Sequence, residues 1–227
     1  MSVLLKPDLQ SFYKNNAGQA PENLVMFLHI HEDNPQPRQI STVIDILRKG
    51  GIIIYPTDTI YGMGCDIYQQ DAIERICRIK NIPPAKAKLS FICDNLSTLS
   101  HFTKQLSNST YRLLKECLPG PYTFVLPASK MVPKILKTKK DTIGVRIPDN
   151  NIARRIVHEL KNPILTTTLP GETAEEFTDP EMIYRNFENI VDLVIDGGLG
   201  GLIPSTVIDC TGAEPVLLRK GLGIWTN

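Results

Sequence analysis

The stretch with the most chemical potential is "YPTDTIYGMG", residues 55–64. Three hydroxyls, Thr57, Thr59 and Tyr61, crowd around one carboxylate, Asp58, directly after the apolar run "IIIY". A strand that ends in such a cluster is a natural place for a site. No nucleophile stands beside a general base there, so the chemistry on offer is holding a ligand rather than attacking it. Arg146 adds a cation. It lies between Val145 and Ile147 and, by strand alternation, projects to the face opposite both. A charge in that position needs a partner, either a ligand carboxylate in a bidentate pair or a structural acid. Thr57 and Tyr61 have an ordinary alternative use, satisfying loop backbone groups, and Asp58 can orient an ammonium group or a hydroxyl, or cap the next turn.

Several familiar chemistries have no residues to run on. There is no G-x-x-x-x-G-K-[ST] phosphate cradle, no G-x-S-x-G elbow and no H-E-x-x-H. The run "DGGLGGLIP" lacks the spacing of a dinucleotide-binding loop and reads as a tight turn between strands. His29 and His31 share one face of a strand near Glu32 and Asp33, a weak metal pattern that more often is plain surface. His101 and His158 lie in helical patterns with no partner nearby in sequence.

The elements that must carry these residues follow from hydrophobic period. "LVMFLHI", "IIIY", "LSFIC", "YTFVLP", "TIGVRIP", "ILTTTL", "VDLVI", "STVIDC" and "PVLLR" read as strands. Ile40, Val43, Ile44 and Leu47 form a helical stripe closed by Gly50. Further helices are expected after Asp71 and after Asp94, each taken as a cap, and over about 108–117, "IARRIVHEL" and 180–187. Alternating strands and helices with strands at the end imply an α/β fold, a mixed twisted open sheet with helices on its faces. Residues 1–24 are polar and unpatterned and read as an N-terminal arm; 25–227 form the domain.

Bulk composition narrows the setting. Twenty-five basic and 24 acidic side chains leave a net charge of +1, so any nucleic-acid surface must be local. Lys86, Lys88, Lys134, Lys137, Lys139 and Lys140 make two basic stretches, read as solvated charge or as an RNA- or nucleotide-steering rim. Five scattered cysteines without a C-x-x-C suit a reducing compartment, and no apolar run approaches the ~20 residues of a membrane span. A cytoplasmic protein without membrane contact is the expectation.

The motifs together are specific. "YPTDTIYGMG" resembles the P-T-[DE]-T-x-Y-G-[LM] signature of the YrdC-type threonylcarbamoyl-AMP synthase family. "IERICRIKNIP", "PGPYTFVLPAS", "TIGVRIPDNNIA", "STVIDC" and "VLLRKG" resemble the family's later segments, in order, over about residues 37–221. "HIHEDNPQ", "ERICRIK" and "STVIDC" are most similar to its YciO branch. The resemblance implies a YrdC-like fold around a large concave cavity. It also implies an enzyme that joins L-threonine, bicarbonate and ATP, with Mg²⁺, into threonylcarbamoyl-AMP and pyrophosphate for t6A37 modification of tRNA. By the same resemblance Thr57, Asp58, Tyr61, Arg146 and Ser205 would line the amino-acid site, and Lys80, Thr167 and Arg219 the nucleotide phosphates. Double-stranded RNA or tRNA is an implied partner.

Two positions depart from the pattern. Ile82 stands where the family's K-x-R has arginine, and Leu169 where its P-S-x-N has asparagine. Each lost hydrogen bond to a charged group costs about 1.5–3 kcal/mol. The expectation is an intact amino-acid half and an altered phosphate half. A synthase and a YciO-type paralogue that binds RNA or nucleotide, or acts on a threonylcarbamoyl-adenosine-like group without synthesis, both remain open.

Overall fold

Apolar stripes of period 3.6 and apolar runs of strand length decide which segments become helix and strand. The computed structural model describes residues 25–83, 87, 89–136, 141–171 and 177–226. In chain order these form β1 Met26–His29, α1 Pro37–Arg48, β2 Ile53–Tyr55, β3 Gly62–Asp66, α2 Gln70–Ile79, β4 Ser90–Ile92, α3 Leu96–Phe102 and α4 Asn108–Cys117. They continue with β5 Tyr122–Pro127, β6 Thr142–Arg146, α5 Asn151–Leu160, β7 Ile164–Thr168, α6 Pro180–Phe187, β8 Leu193–Asp196, β9 Thr206–Asp209 and β10 Val216–Arg219. The expected arm, Lys86, Lys88, Lys137, Lys139, Lys140 and the side chain of Lys134 lie outside the described residues.

All ten strands join one mixed sheet in the order β1-β8-β2-β3-β7-β4-β6-β5-β9-β10. Four pairs are parallel (β1/β8, β2/β8, β4/β6 and β5/β9) and the others antiparallel. Residues in register point to the same side, so the pairings sort the side chains into two faces. On one face Ile54, Met63, Cys65, Phe91, Phe124, Val145 and Leu165 meet α2, α3, α4 and α6. On the other, Ile53, Tyr55, Ile92, Ile164, Leu193 and Ile195 meet α1 and α5. Each such aliphatic side chain taken from water contributes about 1.5–3 kcal/mol.

The second face is covered unevenly. Its apolar part underlies α1 and α5, whereas Ser90, Gly144, Val125 and Val207 stay only half-buried. That open half is where Arg146 emerges. Arg146 lies in register with Ile92, so it shares the face of Tyr55 and Ile164, as alternation predicts.

Local signals account for most element ends. Gly50 (φ +81°) closes α1, with the Gly51 N–H bonded to the Ile46 carbonyl at 2.9 Å and the Gly50 N–H to Leu47 at 3.0 Å. α2 ends in the same way with Asn81 at φ +52°: the Ile82 N–H reaches the Cys77 carbonyl at 3.0 Å. That stop leaves Lys80 at the helix terminus.

Four expectations need correction. Asp71 is not the cap of α2; Gln69 holds that position and Asp71 sits in the first turn, where its charge suits the helix dipole. Asn95, not Asp94, caps α3, accepting the Thr98 N–H at 2.8 Å. Strand β3 was not expected, because Gly62 and Gly64 weaken strand propensity. The glycines are there because β7 and the Tyr55 ring leave little room: a Cβ would stand 3.1 Å from Thr166 Oγ1 at Gly62, and at Gly64 it would land on the Leu165 carbonyl oxygen and lie 3.1 Å from Tyr55 Cε1. Finally, "DGGLGGLIP" is no tight turn between paired strands. It connects β8 to β9, which lie seven positions apart in the sheet. Among the described residues no helix is long and apolar enough to cross a membrane.

Candidate functional site

Residues 56–61, between β2 and β3, fold over the open half of the sheet. The Thr57 hydroxyl donates to the Ile60 carbonyl at 2.7 Å and accepts the Thr59 N–H at 3.1 Å, closing the loop on itself. Tyr61 works outward: its hydroxyl donates to the Gly198 carbonyl at 2.7 Å and accepts the Gly197 N–H at 3.2 Å. Burial, and then the acids beyond it, raise the phenol to about 12 despite the Gly197 N–H. The glycine run presses on this loop. A Cβ at Gly200 would lie 2.7 Å from the Tyr61 ring, one at Gly201 would land on the Thr59 carbonyl oxygen, and one at Gly197 would lie 2.5 Å from Pro56.

This packing holds Asp58 and Thr59 against Arg146. Arg146 is 7% exposed; Nη2 pairs with Asp58 Oδ1 and donates to Thr59 Oγ1 at 2.7 Å. Two polar atoms of the pair, Asp58 Oδ2 and Arg146 Nε, are buried without a hydrogen-bond partner among the described residues. A buried donor and a buried acceptor left unmet within one ion pair are costly unless something fills them.

A second polar group adjoins it. Phe124 pairs with Val145, so Thr123 stands beside Arg146 on the same face. Thr123 Oγ1 lies 2.8 Å from Ser205 Oγ, and both residues are buried. Arg219 reaches back from β10, donating from Nε (3.2 Å) and Nη2 (2.8 Å) to the Ser205 carbonyl and from Nη2 to Ser205 Oγ at 3.3 Å. Burial, and then the charge of Arg146, lower the pKa of Arg219. No carboxylate pairs with Arg219 among the described residues. Gly221 has no room for a side chain: a Cβ would meet the backbone of Pro204 and Ser205.

Lys80 and Thr167 are placed differently. The Lys80 ammonium donates to the Thr168 carbonyl at 2.6 Å and to its hydroxyl at 3.3 Å, and burial lowers its pKa. Thr167 is in register with Met63, so its side chain faces away from Arg146, toward the face that carries α2. Thr166, on the Arg146 face, accepts the Tyr55 hydroxyl at 2.7 Å. Leu169 is buried in the core of the α2 face, and Ile82 is half-buried. The structure therefore brings together Thr57, Asp58, Arg146, Ser205 and Arg219, adds Thr59 and Thr123, and does not unite Thr167 with them. Thr123 was legible only as a hydroxyl inside the apolar strand "YTFVLP".

Three of the four histidines are paired outside this site. His29 Nδ1 is 3.0 Å from Asp196 Oδ2, His31 Nδ1 accepts the Asp33 N–H at 3.2 Å, and His158 pairs with Asp94 at 3.1 Å. Among the described residues no group of three or more His, Cys, Asp or Glu side chains gathers to hold a metal. A dedicated protein cage for Mg²⁺ does not fit the residues described, since such sites are built from carboxylates.

Known proteins resemble the chain in sequence and in fold. Residues 45–221 match the Sua5_yciO_yrdC family model, described as telomere recombination. The chain is 45% identical over 200 residues to the uncharacterized protein YciO of Escherichia coli K12, covering 87% of this chain and 96% of that one. The crystal structure of E. coli YciO superposes with a TM-score of 0.82 over 88% of this chain and 97% of that chain. A threonylcarbamoyl-AMP synthase of Pyrococcus abyssi is 30% identical over 81% of this chain and 54% of its own length. The crystal structure of P. abyssi Sua5 complexed with L-threonine gives a TM-score of 0.79 at 29% identity, over 87% of this chain and 58% of that chain. On the family model and the shared fold, this chain belongs to the Sua5/YciO/YrdC family.

Proposed function

We propose that the open face around Arg146 binds L-threonine and that the protein is a threonylcarbamoyl-AMP synthase-type nucleotidyltransferase acting with bicarbonate and ATP in tRNA t6A modification. The observation that carries this reading is the unmet pair, Arg146 Nε and Asp58 Oδ2. A zwitterionic amino acid supplies both an acceptor for the guanidinium and a donor for the carboxylate, which a simple carboxylate ion does not. The P. abyssi Sua5 complex with L-threonine supports the choice of amino acid.

The chemistry asks little of the chain as a nucleophile. Threonine's amine takes up CO2, a carbamate oxygen attacks the α-phosphorus of ATP, and pyrophosphate leaves. The protein positions the two substrates and offsets charge. Arg146, Ser205 and Arg219 supply donors on the amino-acid side, and Lys80 supplies a cation for the triphosphate. Mg²⁺ enters as part of the Mg-ATP substrate.

A second reading is favoured by Leu169, sealed in the core, and Ile82: neither offers a polar group where the resemblance implies one. In that reading the chain keeps the amino-acid site but binds RNA or nucleotide, or acts on a threonylcarbamoyl-adenosine-like group, without synthesis. Two measurements separate the readings. Calorimetric binding of L-threonine tests the shared site, and pyrophosphate release from threonine, bicarbonate and Mg-ATP tests the synthase. Ile82→Arg alone is the informative gain-of-function variant, because Leu169→Asn would put an amide into the core. Threonine binding without turnover, rescued by Ile82→Arg, selects the second reading; turnover by the wild type selects the first.

A further inference from the structure

We infer that Thr123 is a positioning residue that turns the Ser205 hydroxyl into an obligate hydrogen-bond donor toward a ligand carboxylate. The inference rests on the amino-acid-binding reading above.

Protons and lone pairs decide which way that hydroxyl bonds. A serine hydroxyl has one proton to give and two lone pairs to fill. Arg219 Nη2 can only donate, and at 3.3 Å it takes one lone pair of Ser205 Oγ. Thr123 Oγ1, 2.8 Å away, is its other partner among the described residues, and either oxygen can be the donor. If Ser205 donates to Thr123, nothing in Ser205 is left for an anion. If Thr123 donates, both lone pairs of Ser205 are filled and its proton points to whatever occupies the open face. A ligand carboxylate beside Arg146 selects the second arrangement, because only that one adds a donor to the anion.

The surroundings keep the three oxygen and nitrogen atoms in place. Thr123 is locked in β5, paired with Val207 of β9, and is 7% exposed. Ser205 is held from the other side through its own carbonyl, on which Arg219 closes with two N–H groups. The segment after Arg219 is fastened over it. The Leu222 N–H bonds the Pro204 carbonyl at 2.9 Å, the Gly221 N–H reaches Thr206 Oγ1 at 3.0 Å, and that hydroxyl donates to the Gly223 carbonyl at 2.6 Å. Ser205 therefore cannot swing away to find another acceptor. Its donor direction is set by Thr123 inside the sheet and Arg219 outside it.

The test is calorimetric binding of L-threonine and of threoninol, which lacks the carboxylate, to wild type, Thr123→Val and Thr123→Ser. Thr123→Val keeps the shape of the side chain and removes the donor. It is expected to weaken threonine about tenfold or more, in line with a lost hydrogen bond to a charged group. Threoninol affinity is expected to change less than threefold, and Thr123→Ser to restore threonine binding. Equal loss for both ligands with a lowered melting temperature would mean a merely structural role and overturn the inference. So would unchanged threonine affinity in Thr123→Val. Failure of the wild type to bind threonine at all is a different result: it removes the amino-acid reading and this inference with it.

Discussion

The surroundings of Arg146 and of Lys80 are built on opposite plans. Arg146 is enclosed by an acid, hydroxyls and a second arginine drawn from β5, β10, the residue before β9 and the loop after β2. Lys80 hangs from a helix end onto one carbonyl and one hydroxyl of Thr168, with Leu169 turned into the core next door. Many elements converge on the first; two serve the second. A site assembled from many elements tolerates little change, because each contributes a group the others need. A site resting on one cation can drift in function while the fold stays as it is.

The largest expected effect comes from breaking the dense side. Arg146→Gln leaves Asp58 buried without its cation, so stability should fall by about 3–5 kcal/mol. Threonine binding should be lost together with it. Urea denaturation and calorimetry read the two, and a variant of normal stability that still binds threonine would contradict the account of this site.

Gly201→Ala comes next. Its Cβ would meet the Thr59 carbonyl, a backbone atom that cannot move aside, and overpacking of this kind costs about 1–3 kcal/mol. Because Thr59 touches Arg146, threonine affinity should drop as well. Gly198→Ala meets no neighbour within 4 Å and carries only the strain of φ +91°, about 1 kcal/mol. Equal losses from the two would argue against close packing of the loop as the cause.

Lys80→Ala should separate the regions: Mg-ATP affinity falls about tenfold, as expected for one charge-assisted contact, with threonine affinity unchanged. The same lysine gives a pH dependence. Burial lowers its folded pKa below the unfolded value, so between those two values the unfolded chain holds more protons and Lys80's contribution to stability rises with pH. Binding of phosphate through the ammonium runs the other way, weakening as pH climbs through the lowered pKa. A Lys80-dependent nucleotide affinity that persists unchanged to the pH range of an ordinary lysine would sink that assignment. The smallest effect is expected far from both regions. His158→Ala removes a half-exposed pair with Asp94 and should change stability by less than about 1 kcal/mol, with no effect on either ligand.

Hydrophobic period made most of the fold legible, and the motif order indicated the family. Arg146 was readable because a charge on an apolar strand must find a partner. β3 escaped because strand propensity does not register that β7 and the Tyr55 ring crowd two of its positions down to glycine. The Thr123–Ser205–Arg219 group escaped for another reason: its members are 82 and 14 residues apart, and only strand order makes them neighbours. The uses of Thr57 and Tyr61 were open in the sequence: Thr57 turns to Thr59 and Ile60 in its own loop, while the partners of Tyr61 lie 136 and 137 residues away in the glycine run.

That crossing has a mechanical consequence. The connection leaves β8 at Asp196 and enters β9 at Thr206, seven strand positions away. Seven steps of a flat sheet would measure about 33 Å. Ten residues pulled straight reach about 33–36 Å. The segment is not straight, since it stops on the way to pack against Thr59 and Tyr61. It is thus a chord too short for a flat sheet, and the sheet must bend to meet it. Like the string of a bow, it spans the face that carries Arg146, so shortening it is expected to curve that face more tightly.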